Sequence, residues 1–435
     1  MKIFTKLTAC TLLAFIAITA TSAKTKKPVI RNEKGEIIKT GINFGPLPVI
    51  AFDNDKGFQF GALLNIYNFG NGDTYPNPKS HWYIEASAYT KGSQKYVVSY
   101  DNKVLIPGVR MCTALRFLND AAMEFLGWNG YQSVYDYTFE EEKRTGFYRY
   151  KRNMLHFKAD FIGKITKNFY WEAGYHFHWI NTGLFSTKKY ELDNTLLELY
   201  NKWGIIPDDQ LKGGISSAIR VGLMYDSRDA EAAPSKGIWA EAHYIVAPKF
   251  LGSSTFSNKL NVTFRHYVPI AKDKLVFAYR LNYQGFFGDA PWYLLPFYTI
   301  VGPSYDYDGL GGFRTNRGLK MTRVQGQHTC FFNAELRWRF IDFSLWRQNI
   351  SFALSGFCDG SRVIKGYDTG NKTGYAPELH SKYIDRSRGD RFHIAAGAGL
   401  RFIMNKNFIV AVEYARCTNI QDGKGAFYLN TGFLF

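Results

Sequence analysis

The chain has 435 residues, 46% of them hydrophobic and 17% aromatic, with 40 glycines and a formal net charge of +17. Past the N-terminus no run of about 18 uninterrupted apolar residues occurs, which excludes membrane-spanning helices. Lysine and arginine are scattered through short alternating runs rather than gathered on a basic helix. Nucleic acid is therefore not an expected partner, and the charge is left for anionic headgroups, an anionic solute or the wall of a lumen.

Residues 1–23 read as a secretory signal peptide. Lys2 and Lys6 precede an apolar run from Leu7 to Ala20, and Thr21-Ser22-Ala23 supplies a small-residue cleavage site. Leu7-Thr8-Ala9-Cys10 opens the apolar run instead of closing it, so it is not taken as a lipidation box. Residues 24–45 are polar and basic, a short periplasmic tail. Strands are expected from about Pro46 onward, with residues 46–435 forming one domain.

The strand signal is strict alternation. Phe58, Phe60, Ala62, Leu64 and Ile66 alternate with Gln59, Gly61 and Asn65, and Trp82, Ile84 and Ala86 with Glu85 and Ser87. From Asn168 to Trp179 the apolar face is Phe169, Trp171, Ala173, Tyr175, Phe177 and Trp179, opposed by Glu172, His176 and His178. Similar runs centre on Arg220, Arg280 and Arg401, and another places Phe332, Ala334, Leu336, Trp338 and Phe340 opposite Asn333, Glu335, Arg337 and Arg339. In each, the apolar face is free of charge over about the length of a tilted membrane strand. Lipid tolerates no unpaired backbone, so such strands must close. The expected fold is all-β: a transmembrane antiparallel β-barrel of about sixteen strands, in contact with outer-membrane lipids of a bacterial cell.

Connection lengths point the same way. The long gaps, near 120–146, 182–212, 286–327 and 360–389, share one parity and are placed outside, whereas the turns near 104–108, 164–167, 269–272 and 403–406 are tight. The last strand is expected over Gly425–Phe435, with Phe427, Leu429, Phe433 and Phe435 on one face. An end of that kind resembles the C-terminal signal read by the barrel-assembly machinery, the partner expected for the chain's own insertion.

Enzymatic and metal signals are weak. His176 and His178 share one face without a third ligand and read as polar lining of a lumen. The four cysteines after Cys10 lack CxxC spacing. No Gly-x-Ser-x-Gly elbow occurs, and Gly309-x-Gly311 lacks the context of a phosphate loop. Neither a cofactor nor an enzymatic activity is expected.

Three segments together resemble the BamA/TamA (bacterial surface antigen) superfamily of outer-membrane barrels. Tyr225-Asp226-Ser227-Arg228-Asp229, followed by Pro234-Ser235-Lys236-Gly237, is similar to that family's D-x-R-D…P-x-x-G turn. Asn316-Arg317-Gly318-Leu319 is similar to its V-R-G-F/Y motif at the tip of the sixth outer loop, with Leu319 in place of the aromatic. Phe357-Cys358-Asp359-Gly360 is similar to its F-x-D-x-G strand motif, with the glycine one position early, and Glu335 lies on the intervening strand. The resemblance implies that the 286–327 loop folds inward. It also implies a role in protein or lipid insertion or passage across the outer membrane. The family's periplasmic POTRA domains have no counterpart in so short a tail, which leaves periplasmic or outer-membrane protein partners open.

Beside the resemblance stands a physical expectation. Asp359 and Glu335 fall on lumen-facing positions of neighbouring strands, where one guanidinium can bridge two carboxylates. Arg317 reaching them, with Gly318 allowing a close turn, would lock the loop in the lumen. The rival expectation is a porin-like diffusion channel for small anionic solutes, suggested by the basic balance.

Overall fold

The computed structural model describes residues 30–435 apart from 32, 34, 54–56, 187–191, 272–273, 289, 303–306, 407 and 432. The expected signal peptide lies outside the described residues. Sixteen strands form one antiparallel sheet in which sequence neighbours pair. They are β1 (Ile42–Asp53), β2 (Gly57–Asn68), β3 (Ser80–Tyr89), β4 (Gln94–Ile106), β5 (Val109–Glu124), β6 (Arg149–Thr166), β7 (Phe169–Leu184) and β8 (Gly213–Asp226). After β9 (Gly237–Ala247), β10 (Ser257–Ala271) and β11 (Leu275–Phe286), a separate two-stranded pair, β12 (Phe297–Tyr298) and β13 (Tyr307–Asp308), sits within the long connection. The sheet resumes with β14 (His328–Leu345), β15 (Gln348–Lys365), β16 (His393–Met404), β17 (Phe408–Cys417) and β18 (Ala426–Thr431).

The two faces of this sheet invert the rule for a water-soluble protein. Outside, Ile219, Val221 and Leu223 follow one another along β8 at 48%, 53% and 48% exposure. Inside, Arg116, Arg152, Arg220, Arg280 and Arg401 are among the most deeply buried side chains. An apolar surface of this extent is stable only against hydrocarbon. The expected alternation holds along β2, β3, β7, β8, β11 and β16.

Connections sort by rim. The long ones (125–148, 185–212, 287–327 and 366–392) leave by one rim, whereas β4–β5, β6–β7, β10–β11, β14–β15 and β16–β17 turn tightly at the other. The long connections pack on one another into an apolar dome over the lumen. Phe125 lies edge-on to Tyr200 at 5.0 Å, Trp128 against Tyr367 at 5.3 Å, Phe147 against Tyr383 at 4.8 Å, and Trp203 edge-on to His380 at 5.0 Å.

Three local features differ from the expected pattern. On β14 the pairing jumps from Arg339 to Ile341, so Phe340 is a bulged residue and the apolar face continues as Ile341, Phe343 and Leu345. The sheet begins at Ile42 rather than near Pro46. Gly41 both donates to and accepts from the β2 side, so odd positions bond β2, and Pro46 and Pro48 turn their missing N–H groups to the other edge. That edge lies beside β18, and among the described residues no ladder joins the two. Finally, β18 stops at Thr431. Leu434 and Phe435 lie with Tyr267, Val276 and Ala278 on the lumen side, not on the membrane face. Arginines draw them there: Phe433 lies 4.3 Å from Arg337 and 4.8 Å from Arg401, and Phe435 lies 5.1 Å from Arg280.

Candidate functional site

The 287–327 connection runs back into the lumen, and its tip is built from short-range contacts before it meets the wall. The Thr315 hydroxyl accepts from Gly311 N–H at 3.0 Å and donates to Gly309 O at 3.0 Å, closing the turn. Gly318 has φ +95°, and a Cβ there would lie 3.1 Å from both Ala395 and Ala415. Only glycine fits so close to two strands in that conformation. Leu319, where an aromatic was the family pattern, is buried among Tyr298, Ile300, Phe331 and Val363.

Arg317, fully buried, sits at the centre of an ion cluster. Asp359 accepts from its main-chain N at 3.1 Å, from Nε at 2.7 Å and from Nη2 at 2.9 Å. Its Nη1 donates to Glu335 at 2.5 Å and to Glu413 at 2.9 Å. The guanidinium also stacks 3.5 Å over the Phe357 ring. Two further arginines complete the balance: Arg337 donates to Glu335 at 2.6 Å and Arg401 to Glu413 at 2.6 Å. The three guanidiniums thus face three carboxylates in a buried, electrically matched group, the condition under which desolvated charges are tolerated.

The structure brings Arg317, Gly318, Glu335 and Asp359 together. In the sequence Arg337, Arg401 and Phe357 stand only as strand or motif positions and Glu413 is not singled out, although it is the one acid of β17. Tyr428 adds an anchor through its hydroxyl, which accepts from Gly318 N–H at 2.8 Å.

The turn motif lies apart, at the rim with the tight turns. Asp226 accepts from Arg228 N at 3.1 Å and Nη2 at 2.6 Å, Asp229 accepts from Ser235 N at 2.8 Å, and Arg228 stacks 3.8 Å over Trp239. Beyond it, Glu231 pairs with Lys103 at 2.6 Å and Arg110 at 3.0 Å, and Ala233 packs toward Ala353, Ile403 and Ile409. The β8–β9 turn therefore reaches across this end of the barrel. Gly237 has φ +109°, and an added Cβ would lie 2.4 Å from Ser227 O. Gly237→Ala is expected to cost more than about 1 kcal/mol, read as an earlier midpoint in heat-modifiable gel mobility.

At the opposite end Asp422 joins the loop, the dome and the wall. It accepts from the Tyr131 hydroxyl at 2.6 Å, meets His393 Nδ1 at 2.6 Å and lies 3.3 Å from Arg323. Arg323 in turn donates to Gly130 O at 3.0 Å and Ser133 O at 3.1 Å. Burial alone would raise the Asp422 carboxyl, but His393, Arg323 and Tyr131 outweigh it and hold it below its ordinary value. A depressed carboxyl adds stability that is present above its unfolded value and lost as pH falls through the folded one. Tryptophan fluorescence of the dome is therefore expected to stay flat from neutral pH to about 5 and to change only below about 4. Asp422→Asn should shrink that acid transition, leaving the part that belongs to Asp136 and Glu140, whose carboxyls are also held below their ordinary values.

Among the described residues no cluster of His, Cys, Asp and Glu could hold a metal ion.

Comparison with known proteins adds to this geometry. A family model described as the Omp85 superfamily domain matches residues 114–435. No curated protein matches the chain. Among solved structures, the chain is similar to BamA from Haemophilus ducreyi lacking POTRA domains 1–3, with TM-score 0.53 and 14% identity, over 96% of this chain and 77% of that one. It is also similar to CdiB from Escherichia coli, with TM-score 0.54 and 10% identity, over 95% and 68%. At such identities the structural likeness is one of fold.

Proposed function

The chain belongs to the Omp85 superfamily, and from that premise we propose that it is a non-enzymatic outer-membrane barrel assisting the insertion or passage of proteins or lipids, its lumen closed by the 286–327 loop. The observation that carries this reading is the burial of Arg317 against carboxylates from three separate strands, Glu335, Asp359 and Glu413. A loop tip held through three strands is a plug with a defined seat, and its release is a discrete event rather than a gradual loosening. The rim with the long connections and the dome is taken as extracellular, and the β8–β9 turn as periplasmic.

The net charge of +17 favours a second reading, a diffusion channel for small anions. Planar-bilayer recording of the purified protein separates the two. Small, flickering conductance supports the plugged barrel, and a steady large conductance with anion selectivity supports the channel. Affinity capture from native outer membranes identifies the protein partners and the barrel-assembly machinery engaged during insertion.

A further inference from the structure

The hairpin of β14 and β15 projects past its neighbours at the rim with the tight turns. Its ladder to β11 ends at Trp338, opposite Leu275, and its ladder to β16 at Ile350, opposite Met404. Among the described residues, Ile341–Leu345 therefore pair with β15 alone. Ile341, Phe343 and Leu345 continue the membrane face of β14, and Trp346 at the tip is 63% exposed. The tip itself is costly. Trp346 and Arg347 have φ +47° and +61°, two successive left-handed positions of the kind that suit Asn-Gly. The β16–β17 turn puts Asn405 first in that conformation. A bulky Trp-Arg pair there is strained, and such strain points to side chains kept for another purpose.

Charge supplies a second observation. Lys39, on the tail before β1, donates from Nζ to Arg347 O at 2.7 Å, which sets two cations side by side. Nearby cations have acids, Arg339 with Asp342 at 3.0 Å and Lys406 with Glu36 at 2.8 Å. No acid among the described residues pairs with Lys39 or Arg347. Burial and the Arg347 charge push the Lys39 ammonium down to about 8, the opposite of what a counter-ion does. Beside the tip, Leu345, Trp346 and Ile350 line one cavity with Leu47, Val49 and Met404.

We propose that Lys39, Trp346 and Arg347 form a binding site for an anionic phospholipid of the periplasmic leaflet, its phosphate held by the two cations and an acyl chain laid along Leu345 and Ile350 into that cavity. A tryptophan at headgroup depth with cations just beyond the hydrocarbon is the usual composition of such a contact. Continuity of the tip with the membrane face selects a lipid over a free anion. The inference goes beyond the plug and rests only on the reading of this rim as periplasmic.

The test is native mass spectrometry of the full-length protein in detergent, titrated with dioleoyl-phosphatidylglycerol. Retention at least about tenfold stronger than of dioleoyl-phosphatidylcholine is expected, one decade in Kd. Lys39→Gln with Arg347→Gln should remove that preference, whereas Arg362→Gln with Lys365→Gln, at the other rim, should leave it unchanged. Trp346→Asn with Arg347→Gly relieves the turn, so it should keep the heat-modifiable mobility of a folded barrel while weakening retention about fivefold or more. A preference indifferent to Lys39 and Arg347 overturns the proposal, as does displacement of the lipid by inorganic phosphate or stronger retention of lipid A at the same residues. An epitope inserted after Gly374 in the dome reads the orientation separately on intact cells: a labelled epitope without lipid retention removes the lipid site and leaves the orientation standing.

Discussion

Arg317→Ala is expected to destabilise the loop seat by about 3–5 kcal/mol, the cost of removing one side of a buried ion group. The loss is this large because the substitution leaves Asp359 without the guanidinium that supplies two of its three bonds from Arg317. Glu335 and Glu413 keep partners, Arg337 at 2.6 Å and Arg401 at 2.6 Å, so they are injured less. The ranking follows. Arg317→Ala should raise single-channel conductance most, Asp359→Ala nearly as much, and Glu413→Ala least. Arg317→Lys preserves the charge but not the forked geometry that reaches three carboxylates, and should fall between wild type and alanine. Equal conductance in wild type, Arg317→Ala and Asp359→Ala would show that the cluster does not hold the loop.

The second large effect belongs to the dome. Trp203 is fully buried, its carbonyl accepts from Lys372 N–H at 2.9 Å, and its ring meets His380. It ties the 185–212 connection to the 366–392 connection. Trp203→Ala is expected to cost about 3–5 kcal/mol of local stability, as for other buried tryptophans truncated in a core. Because the strands have their own ladders, the loss should be confined to the dome. Limited proteolysis should cleave between residues 366 and 392 in the variant and spare the wild type, with heat-modifiable mobility unchanged in both. Loss of the folded-barrel band in the variant would show instead that dome and barrel form one cooperative unit.

How much of this was legible beforehand depends on the range of the interaction. Strand number, the two faces and the rim of the long connections follow from period-2 alternation, a local property. Glu335 and Asp359 were visible for the same reason, as acids on the lumen side of otherwise apolar runs. Phe340 was misplaced because counting by twos cannot detect an inserted residue. Phe433 and Phe435 keep the alternation of β18 in sequence, yet lie on the lumen side beside Arg280, Arg337 and Arg401, which the chain brings close only in three dimensions. The dome was invisible: its residues have no period, and the partners of Trp203 and Trp128 lie on a connection far along the chain.

That dome has a consequence for assembly. Its apolar residues come from four stretches that the strands from β5 to β16 bring into register, so pairing of those strands must precede its formation. Contacts joined over such sequence distances are gained late, after the entropy of closing the intervening loops has been spent. The aromatics of the dome condense only once those strands have paired, making the cap a record that the wall beneath it has formed.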